Sequence, residues 1–157
     1  MAHQTILVLD FGSQFTQLIA RRLRELSVYS EILPFNTPLE SLRAKQPRGI
    51  ILSGGPSSVR EDGAPRPDPG LFALGLPTLG ICYGMQLMTD MLGGEVGSAP
   101  HREFGYAVVR RADHAARMLQ RVPGELKVWA SHGDFVAAAP PGFTVTATST
   151  NAPVAAM

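Results

Sequence analysis

Pro77-Thr78-Leu79-Gly80-Ile81-Cys82-Tyr83-Gly84-Met85-Gln86-Leu87-Met88 decides how this chain is read. The apolar run 76–81 predicts a buried strand, and residues 83–92 predict a helix. The single cysteine sits at the joint, with Gly80 two residues before it and Gly84 two after. That is the G-x-S-x-G elbow pattern with sulfur in place of oxygen. A strand turning directly into a helix holds its nucleophile in a strained backbone conformation, and glycines on both sides remove the Cβ atoms that would clash. The joint also sets the thiol at a helix N-terminus, where free N–H groups and the helix dipole favour thiolate. The same residues also suit a structural cysteine, because free cysteine is among the most buried residue types.

Outward from the elbow, the earlier part of the chain alternates strand and helix. Strands are predicted at 5–10, 28–33 and 48–53, and helices at 14–26 and 38–45, with Pro34 closing the second strand. In the first helix Phe15, Leu18, Ile19, Leu23 and Leu26 share a face opposite the arginines. Residues 59–70, rich in Pro, Gly and Asp, predict a surface loop, followed by a short helix at 71–74. This order predicts an α/β fold: a mostly parallel central sheet with helices on both faces. After Gly93-Gly94 shorter strands are predicted, at 95–109 and 127–130, antiparallel and with a helix at 112–120 between them. Two more strands are predicted at 143–148 and 154–157, so a smaller antiparallel portion follows the parallel one. In parallel sheets sites lie beyond the carboxyl ends of the strands. Here those ends are Asp10-Phe11-Gly12, Ser53-Gly54-Gly55 and Cys82.

Composition narrows the class. The 157 residues suffice for one α/β domain, with 45% hydrophobic residues and a formal charge of +1. That balance gives no electrostatic case for nucleic acid or an anionic membrane. One cysteine makes no intrachain disulfide, which fits a reducing compartment. No apolar run reaches membrane-spanning length, and the start lacks the pattern of a signal peptide, so the expectation is a cytoplasmic protein.

A cysteine nucleophile needs an oxyanion hole, a proton shuttle and groups that orient the substrate. The N–H of Tyr83 is one donor by elbow geometry, and Gly54-Gly55 suits a second because glycine backbone approaches a ligand closely. His3, His101 and His114 lie in polar surroundings and read as solvated. His132, in Trp129-Ala130-Ser131-His132-Gly133-Asp134, follows a short strand inside a polar cluster. Chemistry alone nominates Cys82, His132 and Asp134 together, against a substrate-side loop as the alternative.

Four segments in order go further: Leu9-Asp10-Phe11-Gly12-Ser13-Gln14, Ser53-Gly54-Gly55-Pro56-Ser57-Ser58-Val59, Leu79-Gly80-Ile81-Cys82-Tyr83-Gly84-Met85-Gln86 and Val128-Trp129-Ala130-Ser131-His132-Gly133-Asp134. Together they closely resemble the class I, triad-type glutamine amidotransferases. The Gly-Ile-Cys-Tyr-Gly-Met-Gln segment is shared across that class, while the Asp-Phe-Gly-Ser-Gln and Trp-x-Ser-His-Gly-Asp segments point to its GMP-forming branch. The resemblance implies glutamine hydrolysis through a thioester on Cys82. It assigns the oxyanion hole to Gly55 and Tyr83, and glutamine binding to Gly54, Gln86, Ser131 and His132. His132 thereby moves from base to substrate loop. No metal or cofactor is implied for this domain. ATP and Mg belong to an ATP-pyrophosphatase synthetase domain or subunit that adenylates xanthosine monophosphate (XMP), in an enzyme expected to be a homodimer. The class carries its catalytic histidine and glutamate in a Gly-x-Gln-Phe-His-Pro-Glu segment, beyond the strand that Val154-Ala155-Ala156-Met157 begins. The expectation is therefore a C-terminally incomplete amidotransferase domain over 1–157, with little or no glutaminase activity as a separate piece. The competing expectation is a non-catalytic glutamine-binding or docking module that regulates a synthetase.

Overall fold

Four short segments, two of them dominated by Leu, Ile and Val and each too brief for a helix, form the strands of one parallel sheet. In the computed structural model, which describes residues 4–112 and 117–157 and leaves aside the side chains of 99–104, 131 and 132, these are β1 (Thr5–Asp10), β2 (Tyr29–Pro34), β3 (Gly49–Leu52) and β4 (Thr78–Gly80). Their spatial order is β2-β1-β3-β4. Thr5 pairs with Tyr29, Ile6 with Gly49 and Ile50 with Thr78, so all four strands run the same way. Helices α1 (Thr16–Glu25), α2 (Leu39–Ala44) and α3 (Tyr83–Met91) connect or follow them, with a 3-10 turn at Pro69–Leu74 before β4. The central strands carry the core: Leu7, Val8, Leu9, Ile50 and Leu52 are buried on both faces of the sheet, as continuous apolar runs in parallel sheets require.

The remaining strands are antiparallel: β5 (Glu95–Arg111), β6 (Glu125–Ala138) and β7 (Ala147–Ser149), in the order β6-β5-β7. Contacts divide the chain into two units, Met1–Met88 and Thr89–Met157. Across the β5–β6 ladder Ala107 and Ala130 point inward, while the cross-strand pair Tyr106 and Trp129 is exposed with rings edge to face at 5.2 Å.

The α/β class and the mixed architecture stand as the sequence predicts; several details differ. β4 is half-exposed rather than buried, because it is the end strand of the order and has one ladder partner, β3. Helix α1 does not bury its largest side chains. Thr16 and Ala20 are buried, whereas Phe15, Leu18 and Leu26 are exposed. The cause is close approach: the Ser30 hydroxyl on β2 donates to the Ala20 carbonyl at 3.1 Å, which admits only small residues between helix and strand. The loop predicted over 59–70 is pinned inward by buried Val59, and Arg66 donates to the Val59 carbonyl at 2.9 Å. β5 and β6 have 17 and 14 residues, longer than predicted, because they pair with each other across a register shift between Ser98 and Glu103. Of the helix predicted at 112–120, residues 113–116 lie outside the described residues, and only a 3-10 turn at Arg117–Leu119 is present beyond them. The strand predicted at 143–148 shrinks to β7, and 154–157 makes only the single bridges Val136–Val154 and Ala147–Ala156.

Candidate active site

Cys82 joins β4 to α3 with a backbone φ of +53°, in the left-handed region that a non-glycine residue adopts at a cost. Backbone hydrogen bonds hold it there. Its carbonyl accepts from the N–H groups of Met85 at 3.0 Å and Gln86 at 3.1 Å, which starts the helix immediately. The Gly84 N–H donates to the carbonyls of Ile81 at 3.0 Å and Ser53 at 3.1 Å, tying the elbow to the end of β3.

The flanking glycines are required by space. A Cβ built on Gly80 would stand 2.5 Å from the Gly84 carbonyl oxygen, and one on Gly84 would overlap the carbonyl oxygen of Leu52. Strand and helix thus meet backbone to backbone. That contact keeps the turn to two residues, 81–82, and leaves Cys82 exposed at its apex.

The thiol is reachable, since Cys82 is exposed. It is not acidified as the helix N-terminus alone predicts. Loss of hydration among the packed atoms around the sulfur raises the thiol above the ordinary cysteine value, and a hydrogen bond from the Tyr83 backbone pulls it down by less. Accessibility governs whether a reagent arrives; hydration governs how readily the sulfur ionises once there. At rest the group is therefore a thiol, and acting as a nucleophile would require a base.

Beside the thiol lies the end of β3. A Cβ built on Gly54 would stand 3.6 Å from Cys82 Cβ and 3.5 Å from the Ser13 hydroxyl oxygen. A Cβ on Gly55 would meet the Phe11 carbonyl oxygen at 2.5 Å, so this loop presses against the end of β1. Tyr83 is buried, donates its hydroxyl to the Pro65 carbonyl at 2.6 Å, and packs its ring 5.4 Å from Phe11, which lies 5.6 Å from Phe35. Gln86 is buried in the first turn of α3.

Cys82, Gly54, Gly55, Tyr83 and Gln86 all belong to the first unit, around the carboxyl ends of β3 and β4. The side chains of Ser131 and His132, on β6, lie outside the described residues, as do those of His3, His101 and His114. Asp134 is half-buried on β6, paired across the ladder with Ser98. The alternative base nomination therefore has no described geometry. A recess of about 460 Å³ opens at the ends of β1 and β2, lined by Asp10, Phe11, Leu33 and Phe35 among others, and Cys82 is not on its wall. Among the described residues no three His, Cys, Asp or Glu side chains gather as a metal ion requires.

Sequence reasoning gave no role to Ser53. Its hydroxyl, fully buried, accepts from the Phe11 N–H at 3.0 Å and donates to the Gly54 carbonyl at 2.9 Å. A serine ending a strand is ordinary, and only the neighbouring glycines hint that it has a loop to hold.

A left-handed cysteine between strand and helix, exposed and beside Gly54, gives the chain the strand–cysteine–helix elbow of an α/β fold. The family model for glutamine amidotransferase class I matches residues 7–157, and the chain belongs to that family. Within it, the chain is 56% identical over 154 residues to a Lactiplantibacillus plantarum protein named GMP synthase [glutamine-hydrolyzing], covering 98% of this chain. It is 53% identical over 155 residues to a Bacillus cereus protein of the same name, covering 99% of this chain. The chain spans 30% of the length of each of these relatives. Among solved structures, a Thermoplasma acidophilum protein described as a GMP synthase subunit superposes with a TM-score of 0.81 at 32% identity. That match covers 98% of this chain and 77% of the other. A Thermotoga maritima glutamine amidotransferase shares the fold, with a TM-score of 0.73 at 21% identity, covering 98% of this chain and 70% of that one.

No helix among the described residues is long and apolar enough to cross a membrane.

Proposed function

We propose that this chain is the glutaminase part of a GMP synthase. The observation that carries the reading is Cys82 itself: an exposed cysteine held at φ +53° at the head of α3, with Gly54 beside it. The Cys82 sulfur attacks the side-chain carbonyl of glutamine and forms an S–C bond, and negative charge collects on the carbonyl oxygen. The N–H groups of Gly55 and Tyr83 stabilise that charge. Collapse breaks the C–N bond, and ammonia leaves with the proton that the thiol gave up. Water then cleaves the thioester, yielding glutamate and restoring the thiol. The proton is carried by the histidine that the class resemblance implies as base, which answers the raised pKa of the resting thiol. Gly54, Gln86, Ser131 and His132 hold the α-amino and carboxylate groups of glutamine.

The ammonia serves an ATP-pyrophosphatase domain or subunit that activates XMP and converts it to GMP, in a cytoplasmic homodimer. ATP and Mg²⁺ belong to that part, and no residue of this chain is assigned to them. Relatives more than three times as long as this chain, sharing half or more of its residues, support the pairing.

The test is covalent. A diazoketone analogue of glutamine, incubated with the full-length natural polypeptide, is expected to add one adduct to the Cys82 peptide by mass. Excess glutamine slows the addition, and Cys82→Ser abolishes it. An adduct elsewhere, or labelling indifferent to glutamine, sinks the proposal.

A further inference from the structure

We propose that Ser53 is a positioning residue, aiming the Gly55 N–H at the reacting carbonyl by clamping the Gly54–Gly55 peptide to the end of β1. The inference rests on the reading of Gly55 as an oxyanion donor. A peptide group is planar, so the Gly54 carbonyl and the Gly55 N–H share one plane and point in opposite directions. Whatever fixes the carbonyl fixes the aim of the N–H. Glycine on both sides of that bond would otherwise leave the plane free to rotate.

Ser53 supplies the clamp. Its hydroxyl carries one proton, and with the Phe11 N–H occupying a lone pair at 3.0 Å that proton goes to the Gly54 carbonyl at 2.9 Å. The serine is itself held on two sides. Its N–H donates to the Leu9 carbonyl at 3.1 Å, and its carbonyl accepts from the Gly84 N–H at 3.1 Å. One buried residue thereby joins β1, the glycine loop and the elbow. The two proposed donors, Gly55 on the loop and Tyr83 on the elbow, are referred to the same fixed point.

Charge on the substrate oxygen develops only as the S–C bond forms, so a misaimed donor acts on the transition state more than on glutamine binding. In glutaminase assays of the full-length natural polypeptide, Ser53→Ala is expected to lower kcat about 10- to 100-fold. KM should stay within about threefold. Alkylation of Cys82 by iodoacetamide, a displacement that builds no oxyanion, should keep its rate within about threefold of the unsubstituted protein. Ser53→Thr, which keeps the hydroxyl, should recover kcat to within about tenfold. An unchanged kcat in Ser53→Ala overturns the inference, and so does a kcat loss matched by an equal loss in alkylation rate, which marks a general disturbance of the elbow. If Ser53→Ala does not fold, Ser53→Thr decides: a folded Thr variant more than about tenfold down in kcat overturns it. Absence of glutamine turnover in the unsubstituted protein is a different result, and it defeats the amidotransferase reading itself.

Discussion

Two joints between strand and helix open on the same edge of the parallel sheet, and they are built by opposite means. Between β1 and α1 the chain takes five residues, 11–15, and side chains join one backbone bond, from the Thr16 N–H to the Ser13 carbonyl at 3.2 Å, in closing the turn. The Asp10 carboxylate accepts from the Gly12 N–H at 3.0 Å and the Thr16 hydroxyl at 2.7 Å, and the Ser13 hydroxyl accepts from the Phe15 N–H at 3.0 Å. Between β4 and α3 the chain takes two, 81–82, and closes the turn with backbone alone. A joint fastened by side chains tolerates a wide turn but commits its polar groups to the fastening. A joint fastened by backbone must be tight, which calls for glycine wherever main chains touch, and it leaves the side chain at its apex out of the fastening. The cysteine stands at the second.

The comparison breaks most visibly through the glycines. In Gly84→Ala the new methyl meets the Leu52 carbonyl and Cβ, and two backbones cannot separate without undoing the elbow. A loss of about 3 kcal/mol is expected in urea unfolding. Gly12→Ala at the first joint meets only Pro56 Cδ at 3.5 Å, an ordinary contact, and its cost comes from the φ of +91°. That is about 1 kcal/mol. If the two substitutions cost the same, backbone contact is not what distinguishes the elbow.

Next in size is the side-chain fastening. Asp10→Ala strands the Gly12 N–H and the Thr16 hydroxyl, so a loss of about 1–2 kcal/mol is expected. Iodoacetamide alkylation of Cys82 should be unaffected, because neither bond reaches the elbow. A changed alkylation rate would show that the two joints are coupled, with the ring contacts from Phe11 to Tyr83 the first suspect.

These effects also explain what the sequence disclosed. The elbow was legible because backbone contact excludes every residue but glycine, and that exclusion is written in Gly80 and Gly84. Strand β1 was legible to the residue because a strand covered on both faces is apolar throughout and stops at its first charge, Asp10. The buried face of α1 was not, since Phe15, Leu18 and Leu26 mimic a core stripe while the sheet admits only Thr16 and Ala20. The roles of partners distant in sequence were hidden for the same reason. Phe11 and Ser53 are 42 residues apart, and no local pattern announces their hydrogen bond. The lengths of β5 and β6 depended on pairing with each other, which local composition does not encode.

The smallest effect concerns the apex residue. Two costs fall on Cys82 in the native state: a left-handed φ, and a thiol pKa raised chiefly by lost hydration. The second makes stability depend on pH. Between the unfolded and the higher folded pKa, the native state holds a proton that the unfolded chain has released, so stability is full below that window and falls as pH rises through it. Cys82→Gly removes both costs. It should be more stable than the unsubstituted protein by up to about 1 kcal/mol near neutrality, after the greater chain entropy of glycine is set against the relieved backbone. Its unfolding free energy should also lack that part of the fall above the ordinary thiol range. Urea unfolding at neutral and alkaline pH measures both. A Gly variant less stable at neutral pH would mean that the cysteine side chain contributes packing, and the contrast between an apex left out of the fastening and a committed first joint would then fail at its centre.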